Sequence, residues 1–476
     1  MTFILTLHAL VVLSFTLRIL LRDDLTPPSR LAWFIVLNVL PYTGSVIYFL
    51  FGEIDIGNRA HQRNDEIFAE IKTKASKFMG KPCNSNSLIK RIYRPAFQYA
   101  GSINGFHTLN GNIAQLMADS DTTLSSMIAD FDAATDHIHL LYYIWLNDQT
   151  GTAIAEALMR AAQRGVTCRA MADGLGSRKL IKSSLWKQKQ DAGVQLAIAL
   201  PFSNLVRTLI TSRIDLRNHR KITVIDSCIT YSGSRNSADP EFLVKKKYAP
   251  WIDIMLRFEG PVVAQNQLLF ASDWMQATGE SLDKLPLKAE VIEGGFPAQV
   301  MGVGPTERRG ATPQLFSNLF ACAENSLIIT TPYFVPDATV LEGLCSAAHL
   351  GVKVKLIFPK KNDSCIVAAA SRSYYRKLLD AGCVIYEHKQ GLLHSKTLTL
   401  DGKVSLIGSS NLDLRSFDLN YENNLLLQDE AITQAITERQ HFYLENSEKI
   451  KLSKVLAWPY YRRVWNNIIA TVGPIL

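Results

Sequence analysis

The sequence predicts an α/β protein of two pseudo-twofold related halves, each a mixed sheet flanked by helices, behind an N-terminal two-helix membrane hairpin. Three observations carry this prediction. First, an H-x-K-x4-D motif occurs twice, from His219 through Lys221 to Asp226 and from His394 through Lys396 to Asp401. Each copy is followed by Gly-Ser-x-Asn, at Gly233 to Asn236 and Gly408 to Asn411, so the match stays in register over 18 positions. Second, a strand-helix-strand phrase recurs around Gly165 and Gly351, where "AAQRGVTCRAMAD" aligns with "AAHLGVKVKLIFP". Third, two long apolar runs precede everything else.

Bulk properties narrow the possibilities. At 476 residues the chain holds two or three domains. With 47% hydrophobic and 20% charged residues it is an ordinary globular composition, which excludes long disorder. A net charge of +8 favours anionic partners, either phospholipid headgroups or nucleic acid. The seven cysteines are scattered and lack C-x2-C spacing, so buried free thiols are expected rather than a disulfide framework or a zinc site.

Taken in order, residues 1–52 are the expected hairpin. Met1 to Leu17 is apolar, and Ile19 to Leu21 extends it if Arg18 snorkels. It lacks the basic start and small-residue cleavage site of a signal peptide. Leu31 to Phe51 is the second run, with Trp33, Tyr42 and Tyr48 towards its ends and Pro41 and Gly44 placed to kink it. The arginines of the connector, Arg18, Arg22 and Arg30, are offset by Asp23 and Asp24, so orientation stays open. Residues 53–95 read as a charged helical linker.

The first half spans 96–275. Ile138 to Trp145 reads as a buried strand, Ala153 to Arg164 as a helix stopped by Gly165, and Val166 to Ala172 as the next strand. After a linker at 276–300, the second half, 301–452, repeats the phrase with Leu327 to Val335, Val340 to Leu350 and Val352 to Phe358. Such units imply parallel pairing. The glycine markers are 186 residues apart and the histidines 175, so the first half carries 11 extra residues within about 178–216. That insertion includes the basic and apolar Leu205 to Arg207 and Leu209 to Arg213. The tail, 453–476, mixes aromatic, basic and apolar residues, which suits a membrane-surface helix and a docked terminal helix equally.

The motif explains itself chemically. Each copy opens a strand, so His219 and Lys221 share a face, as do His394 and Lys396. Asp226 and Asp401 fall at odd spacing, at or in the following turn, where a structural acceptor is expected even though they complete the catalytic motif. The returning Gly-Ser-x-Asn phrase brings Asn236 and Asn411 back towards the histidines. Two His, two Lys and two Asn in one cleft suit phosphodiester chemistry. A neutral imidazole attacks phosphorus, a protonated one serves the leaving alkoxide, and ammonium and amide groups stabilise the non-bridging oxygens. Asp253 and Glu422 lie in alternating segments where a carboxylate can orient an imidazole. His137 and His139 read as an exposed strand edge and His388 as a loop residue. Lys245 to Lys247 read as a solvated loop with the option of touching anionic headgroups.

The duplicated motif resembles the phospholipase D superfamily. Within it, "LPYTGSVIYFLFGE", "LRNHRKITVID", "WIDIMLRFEGP", "TTPYFVPD", "GLLHSKTLTLDG" and "GSSNLDLRSFDLNYE" resemble the two-span bacterial cardiolipin synthase family. The resemblance implies a phosphatidyltransferase of the bacterial inner membrane that joins two phosphatidylglycerol molecules into cardiolipin and releases glycerol, without cofactor or metal. It implies His219 as nucleophile, His394 as acid and base, phosphate contacts from Lys221, Lys396, Asn236 and Asn411, and histidine-orienting carboxylates at Asp253 and Glu422. It implies an anionic phospholipid membrane as partner and no nucleic acid. The alternatives are a phospholipase D or nuclease using the same site for hydrolysis, and an inactive lipid-binding scaffold. The intact double motif disfavours the scaffold.

Overall fold

A computed structural model describes residues 2–23, 25–40, 42–52, 58–201 and 215–471. Leu205 to Arg213 of the insertion, the kink residue Pro41, and residues 472–476 of the tail lie outside the described residues. The chain divides into an N-terminal unit ending near His61 and a larger unit from Gln62 onward.

In the N-terminal unit, α1 (Thr2–Leu20) is one continuous helix. Its stretch Phe3–Leu20 is, among the described residues, the one helix long and apolar enough to cross a membrane. The second apolar run is two helices, α2 (Pro27–Val39) and α3 (Thr43–Phe51). Gly44 permits the break. A Cβ there would stand 2.2 Å from the Val36 carbonyl oxygen, so only glycine lets α3 start against α2. Tyr48 is buried edge-on to Trp33 with 5.2 Å between ring centroids, and Arg22 donates to the Gly52 carbonyl at 2.7 Å.

The larger unit is built on one mixed sheet. Its strands in the first half are β1 (Leu109–Leu116), β2 (His137–Tyr142), β3 (Thr167–Asp173), β4 (Gln195–Ala199), β5 (Lys221–Ile225), β6 (Ile229–Gly233) and β7 (Met255–Glu259). Those in the second are β8 (Phe296–Val303), β9 (Ser326–Thr330), β10 (Lys353–Pro359), β11 (Val384–His388), β12 (Thr397–Leu400), β13 (Val404–Gly408) and β14 (Asn420–Gln428), with β15 (Ser447–Ile450) added at the edge. The spatial order is β15-β11-β10-β9-β12-β13-β14-β8-β1-β7-β6-β5-β2-β3-β4. Read outward from the central β1–β8 pair, each strand of one half has its counterpart in the other. The expected parallel pairing holds for β2–β3–β4 and β9–β10–β11, and the remaining neighbours are antiparallel.

These strands form where β-branched and aliphatic residues run together. Burial on both faces of β2, β5, β12 and β13 explains their near-continuous apolar sequences. β2 and β12 are buried throughout. Helices α4 (Asn58–Lys74), α5 (Arg94–Asn104), α6 (Ser120–Ala133), α7 (Gln149–Gln163), α8 (Val262–Thr278), α9 (Ala311–Ala321), α10 (Ala338–His349), α11 (Cys365–Ser373), α12 (Glu430–Glu445) and α13 (Tyr460–Thr471) surround the sheet. Aspartates start them: Asp119, Asp148, Asp337 and Asp429 each accept a backbone N–H of the first turn of α6, α7, α10 and α12. Gly165 and Gly351 end α7 and α10 in the left-handed conformation, at φ +94° and +92°. Ile67, Ile71, Phe78 and Met79, from the stretch that reads as linker, are buried with α8 in the core under β5 and β8.

Several local expectations are corrected. His137 and His139 are not at an exposed edge. β2 lies inside the sheet between β3 and β5, and both side chains are fully buried. His139 stacks on Phe270 of α8 and meets the Gln267 amide at 2.6 Å. His388 ends β11 and is buried against the Tyr443 carbonyl, because β15 covers that edge. The strand starting near Ile138 stops at Tyr142, short of Trp145. Cys83, Cys228 and Cys365 are exposed, and only Cys168, Cys322, Cys345 and Cys383 are buried.

The repeated Asp and Gly of the two motifs have matching structural uses. Asp226 (φ +50°) turns the chain after β5 and accepts the backbone N–H groups of Thr135, Asp136 and His137 at 2.8 to 2.9 Å. Asp401 (φ +52°) does the same after β12 for Glu324, Asn325 and Ser326 at 2.7 to 3.0 Å. Each carboxylate therefore latches the entry to β2 or β9. Gly233 and Gly408 are required by close approach, since a Cβ would lie 2.2 Å from the Ile254 oxygen and 2.3 Å from the Asn423 oxygen.

Asp226→Ala is expected to destabilise the protein by about 2–4 kcal/mol in chemical denaturation, from the loss of three charge-assisted hydrogen bonds. Burial raises the Asp226 carboxyl, but the three N–H donors outweigh it and hold it below its ordinary value. Its contribution is thus present above the unfolded carboxylate pKa and disappears as pH falls through the lower folded one. The difference between wild type and variant should shrink below about pH 4.

Candidate active site

The two motif histidines sit in the short gaps before β5 and β12, just ahead of the strands rather than on them. Their backbones are fixed by pairing that crosses between the halves. Arg217–Asn218 pairs in parallel with Asn420–Tyr421, and the His219 N–H donates to the Tyr421 carbonyl at 2.8 Å. Leu392–Leu393 pairs in parallel with Trp251–Ile252, and the His394 N–H donates to the Ile252 carbonyl at 2.8 Å. Each histidine is thereby clamped to the residue immediately before a carboxylate of the opposite half.

The side chains follow the same crossing. His394 Nδ1 lies 2.6 Å from Asp253 Oδ1, and His219 Nδ1 lies 3.3 Å from Glu422 Oε1. Asn420 Nδ2 stands 3.3 Å from both His219 Nδ1 and Glu422 Oε1. Asp253 is further held by the Ser234 hydroxyl at 2.6 Å. With a carboxylate taking the Nδ1 proton, each imidazole keeps Nε2 for chemistry. An aromatic ring packs on each: Tyr143 on His219, with 3.9 Å between centroids, and Trp251 on His394, with 4.6 Å.

The lysines follow their histidines. Lys221 Nζ donates to the His219 carbonyl at 2.5 Å, and Lys396 Nζ to the His394 carbonyl at 2.6 Å. Both are buried. Lys221 is also anchored through its backbone, which exchanges hydrogen bonds with the Asn423 side chain of the other half. Asn236 accepts the Ile144 N–H at 3.2 Å, and Asn411 holds Ser416 at 3.2 Å. The structure thus brings together His219, Lys221, His394, Lys396, Asp253 and Glu422. It places Asn236 and Asn411 on the buried turns after β6 and β13. It does not bring in Asp226 or Asp401, which lie at the far ends of β5 and β12.

Burial sets the electrostatics. It pushes His219 down to about 4, with Glu422 opposing and Lys221 assisting. Burial also lowers His394, helped by Lys396 and opposed by Asp253. Lys396 is pushed down to about 7 by burial, and Lys221 is lowered in the same way. Burial alone would raise Asp253 and Glu422, but His394 and Lys396 on the one, and His219 and Lys221 on the other, hold both below their ordinary values. The site is a desolvated cluster of basic and acidic groups, in which burial opposes the charged form of each.

Sequence reasoning missed Tyr143, Trp251, Asn420 and Ser234. Ser234 and its counterpart Ser409 were visible as the invariant second letter of the repeated Gly-Ser-x-Asn phrase. The two aromatic residues carry no such signal, because Tyr143 and Trp251 both belong to the first half and break the repeat.

The chain is similar to known proteins in family, sequence and fold. A family model described as "Cardiolipin synthase, PLD-like domain" matches residues 127–265 and 316–441. A second, "Phospholipase_D-nuclease N-terminal", matches residues 8–53. The chain is 34% identical to cardiolipin synthase A of Serratia proteamaculans, over 98% of this chain and 96% of the relative. It is 35% identical to cardiolipin synthase A of Yersinia pseudotuberculosis over the same shares. Its fold is similar to the crystal structure of phosphatidylserine synthase from Haemophilus influenzae, with TM-score 0.60 and 15% identity, covering 81% of this chain and all of that one.

The crossed pairing has a direct spectroscopic consequence. In histidine-selective NMR titrations, Glu422→Gln is expected to lower the pKa of His219 and leave His394 unmoved, and Asp253→Asn to do the reverse. A shift of the histidine in the same half as the replaced carboxylate would contradict the crossing.

Proposed function

The chain belongs to the cardiolipin synthase family of the phospholipase D superfamily and is a phosphatidyltransferase, and from that premise we propose that it transfers a phosphatidyl group between two phosphatidylglycerol molecules through a phosphohistidine on His219. One observation carries the division of labour: Asp253 approaches His394 to 2.6 Å, whereas Glu422 stands 3.3 Å from His219. The tighter carboxylate contact favours the imidazolium at His394, and the looser one leaves His219 neutral.

In this mechanism the anionic phosphodiester enters between the lysines, and its charge offsets their mutual repulsion. Nε2 of His219 attacks phosphorus. As the N–P bond forms, the P–O bond to the leaving glycerol breaks, and that oxygen takes the proton from Nε2 of His394. Lys221, Lys396, Asn236 and Asn411 stabilise charge on the non-bridging oxygens. Glycerol departs. A hydroxyl of the second phosphatidylglycerol gives its proton to the now neutral His394, attacks phosphorus, and releases His219. The diester product is cardiolipin. Low water access during the intermediate's lifetime decides transfer over hydrolysis. We also assign α2 and α3 together to a second membrane span beside α1, which makes the protein a two-span protein of the bacterial inner membrane.

Purified protein incubated with labelled phosphatidylglycerol and EDTA is expected to give cardiolipin and free glycerol, since the two lysines supply the cationic stabilisation. Phosphatidic acid alone would identify a hydrolase instead. His219→Ala is expected to lower kcat by at least about 10³-fold, and turnover quenched with denaturant at alkaline pH, where a phosphohistidine survives, should leave label on His219, with label on His394 reversing the roles. The pH profile follows from the same assignments. His219 stays neutral well below the ordinary histidine range, so kcat/KM should persist on the acid side. The alkaline limb reports the proton on His394, and Asp253→Asn should move that limb to lower pH.

A further inference from the structure

Resting on the phosphatidyl-transfer reading for its choice of lipid, we propose that the outer face of α13, with the exposed turn at Leu243–Val244 and Ile366 of α11, is a membrane-contact surface. It seats the catalytic unit on an anionic bilayer beside His394.

The face has an inverted pattern. α13 packs along α11, and its buried side chain is Asn466, with Arg462, Arg463, Ile469 and Ala470 half-buried. Tyr460, Tyr461, Val464, Trp465 and Ile468 all stand exposed, between 54% and 83%. At 100° per residue these five fall within an arc of about 140° opposite Asn466. A surface helix of a soluble domain shows the reverse arrangement, so this stripe needs a partner.

Side-chain contacts, short chain segments and helix packing link α13 to the site. Leu243 and Val244 are 66% and 54% exposed at the start of a short 3-10 helix, Leu243–Tyr248. The residue before them, Phe242, stacks on Trp251 with 4.0 Å between centroids, and Trp251 packs on His394. The residue after them, Lys245, meets Asp363 at 2.5 Å, two positions before α11, on which Ile366 is exposed and α13 lies. The apolar residues therefore occupy one linked series of elements that begins next to the catalytic histidine.

Composition selects lipid over a second copy of the chain. Tyrosine and tryptophan dominate the stripe, as at a bilayer interface. Cations accompany it: Lys246 and Lys247 are exposed, and Arg462 and Arg463 lie over Trp458 and Tyr460 at 4.3 and 5.9 Å. Two such basic faces would repel each other in a symmetric dimer, whereas anionic headgroups neutralise them.

The test uses the full chain in nanodiscs, with exposed Cys83, Cys228 and Cys365 replaced by serine and Val464→Cys carrying a nitrobenzoxadiazole label. The label is expected to be quenched by brominated acyl chains and shielded from iodide, more strongly in discs of phosphatidylcholine with phosphatidylglycerol than in phosphatidylcholine alone. Equal iodide access in discs and detergent would overturn the proposal, as would a Val464→Cys cross-linked dimer without lipid quenching. Trp465→Glu with Ile468→Glu, checked for an unchanged melting temperature, should slow transfer at least about tenfold on bilayer phosphatidylglycerol and leave it unchanged on dispersed short-chain phosphatidylglycerol. Lipid quenching needs no turnover. A quenched but inactive chain would therefore refute the transferase reading alone, and an active chain without quenching would refute this surface alone.

Discussion

Each motif imidazole in this protein contacts a carboxylate that belongs to the other half of the chain, and much of the architecture positions that exchange. Asp253 and His394 are 141 positions apart in sequence and 2.6 Å apart in space. For that contact to form, two sheets must join at β1 and β8, and the two short parallel pairs, Arg217–Asn218 with Asn420–Tyr421 and Leu392–Leu393 with Trp251–Ile252, must set the histidines opposite their partners. Gly233 and Gly408 then let the neighbouring backbones come close enough for Ser234 and Ser409 to face those carboxylates.

The site's charge balance follows from the same arrangement. Two lysines and two imidazoles are buried with Asp253 and Glu422, and the buried carboxyls of Asp173 and Asp413 act on the lysines as well. Desolvation works against every cation present: it lowers Lys221 and pushes Lys396 down to about 7. A monoanionic ligand relieves this strain more than a neutral one. An anion placed among these groups would raise the proton affinities that burial lowers.

Much of this was legible in the sequence because the chain is a repeat. The periodic strand-helix-strand phrases predicted the parallel segments β2–β3–β4 and β9–β10–β11, and glycine at 165 and 351 predicted where α7 and α10 end. The odd spacing of Asp226 and Asp401 predicted acceptors in turns. What a repeat cannot disclose is which half supplies which partner, since Asp253 and Glu422 follow their own histidines in sequence yet serve the opposite ones. Burial was also hidden. His137 and His139 alternate as an edge strand would, and only the placement of β2 between β3 and β5 encloses them. The split of the second apolar run into α2 and α3 turns on a close backbone approach at Gly44 that hydropathy does not register.

The crossed pairing also bears on the order in which the site can assemble as the chain is synthesised. A ribosome that has passed the first motif has made His219 and Lys221, but the residue that fixes the His219 ring lies some two hundred positions downstream. Asp253, made early, waits for a histidine that is still untranslated. Contacts closed over so long a stretch of chain form late in folding. A chain that ends after its first half holds His219 without Glu422 and Asp253 without His394, so neither of the two contacts can form within it.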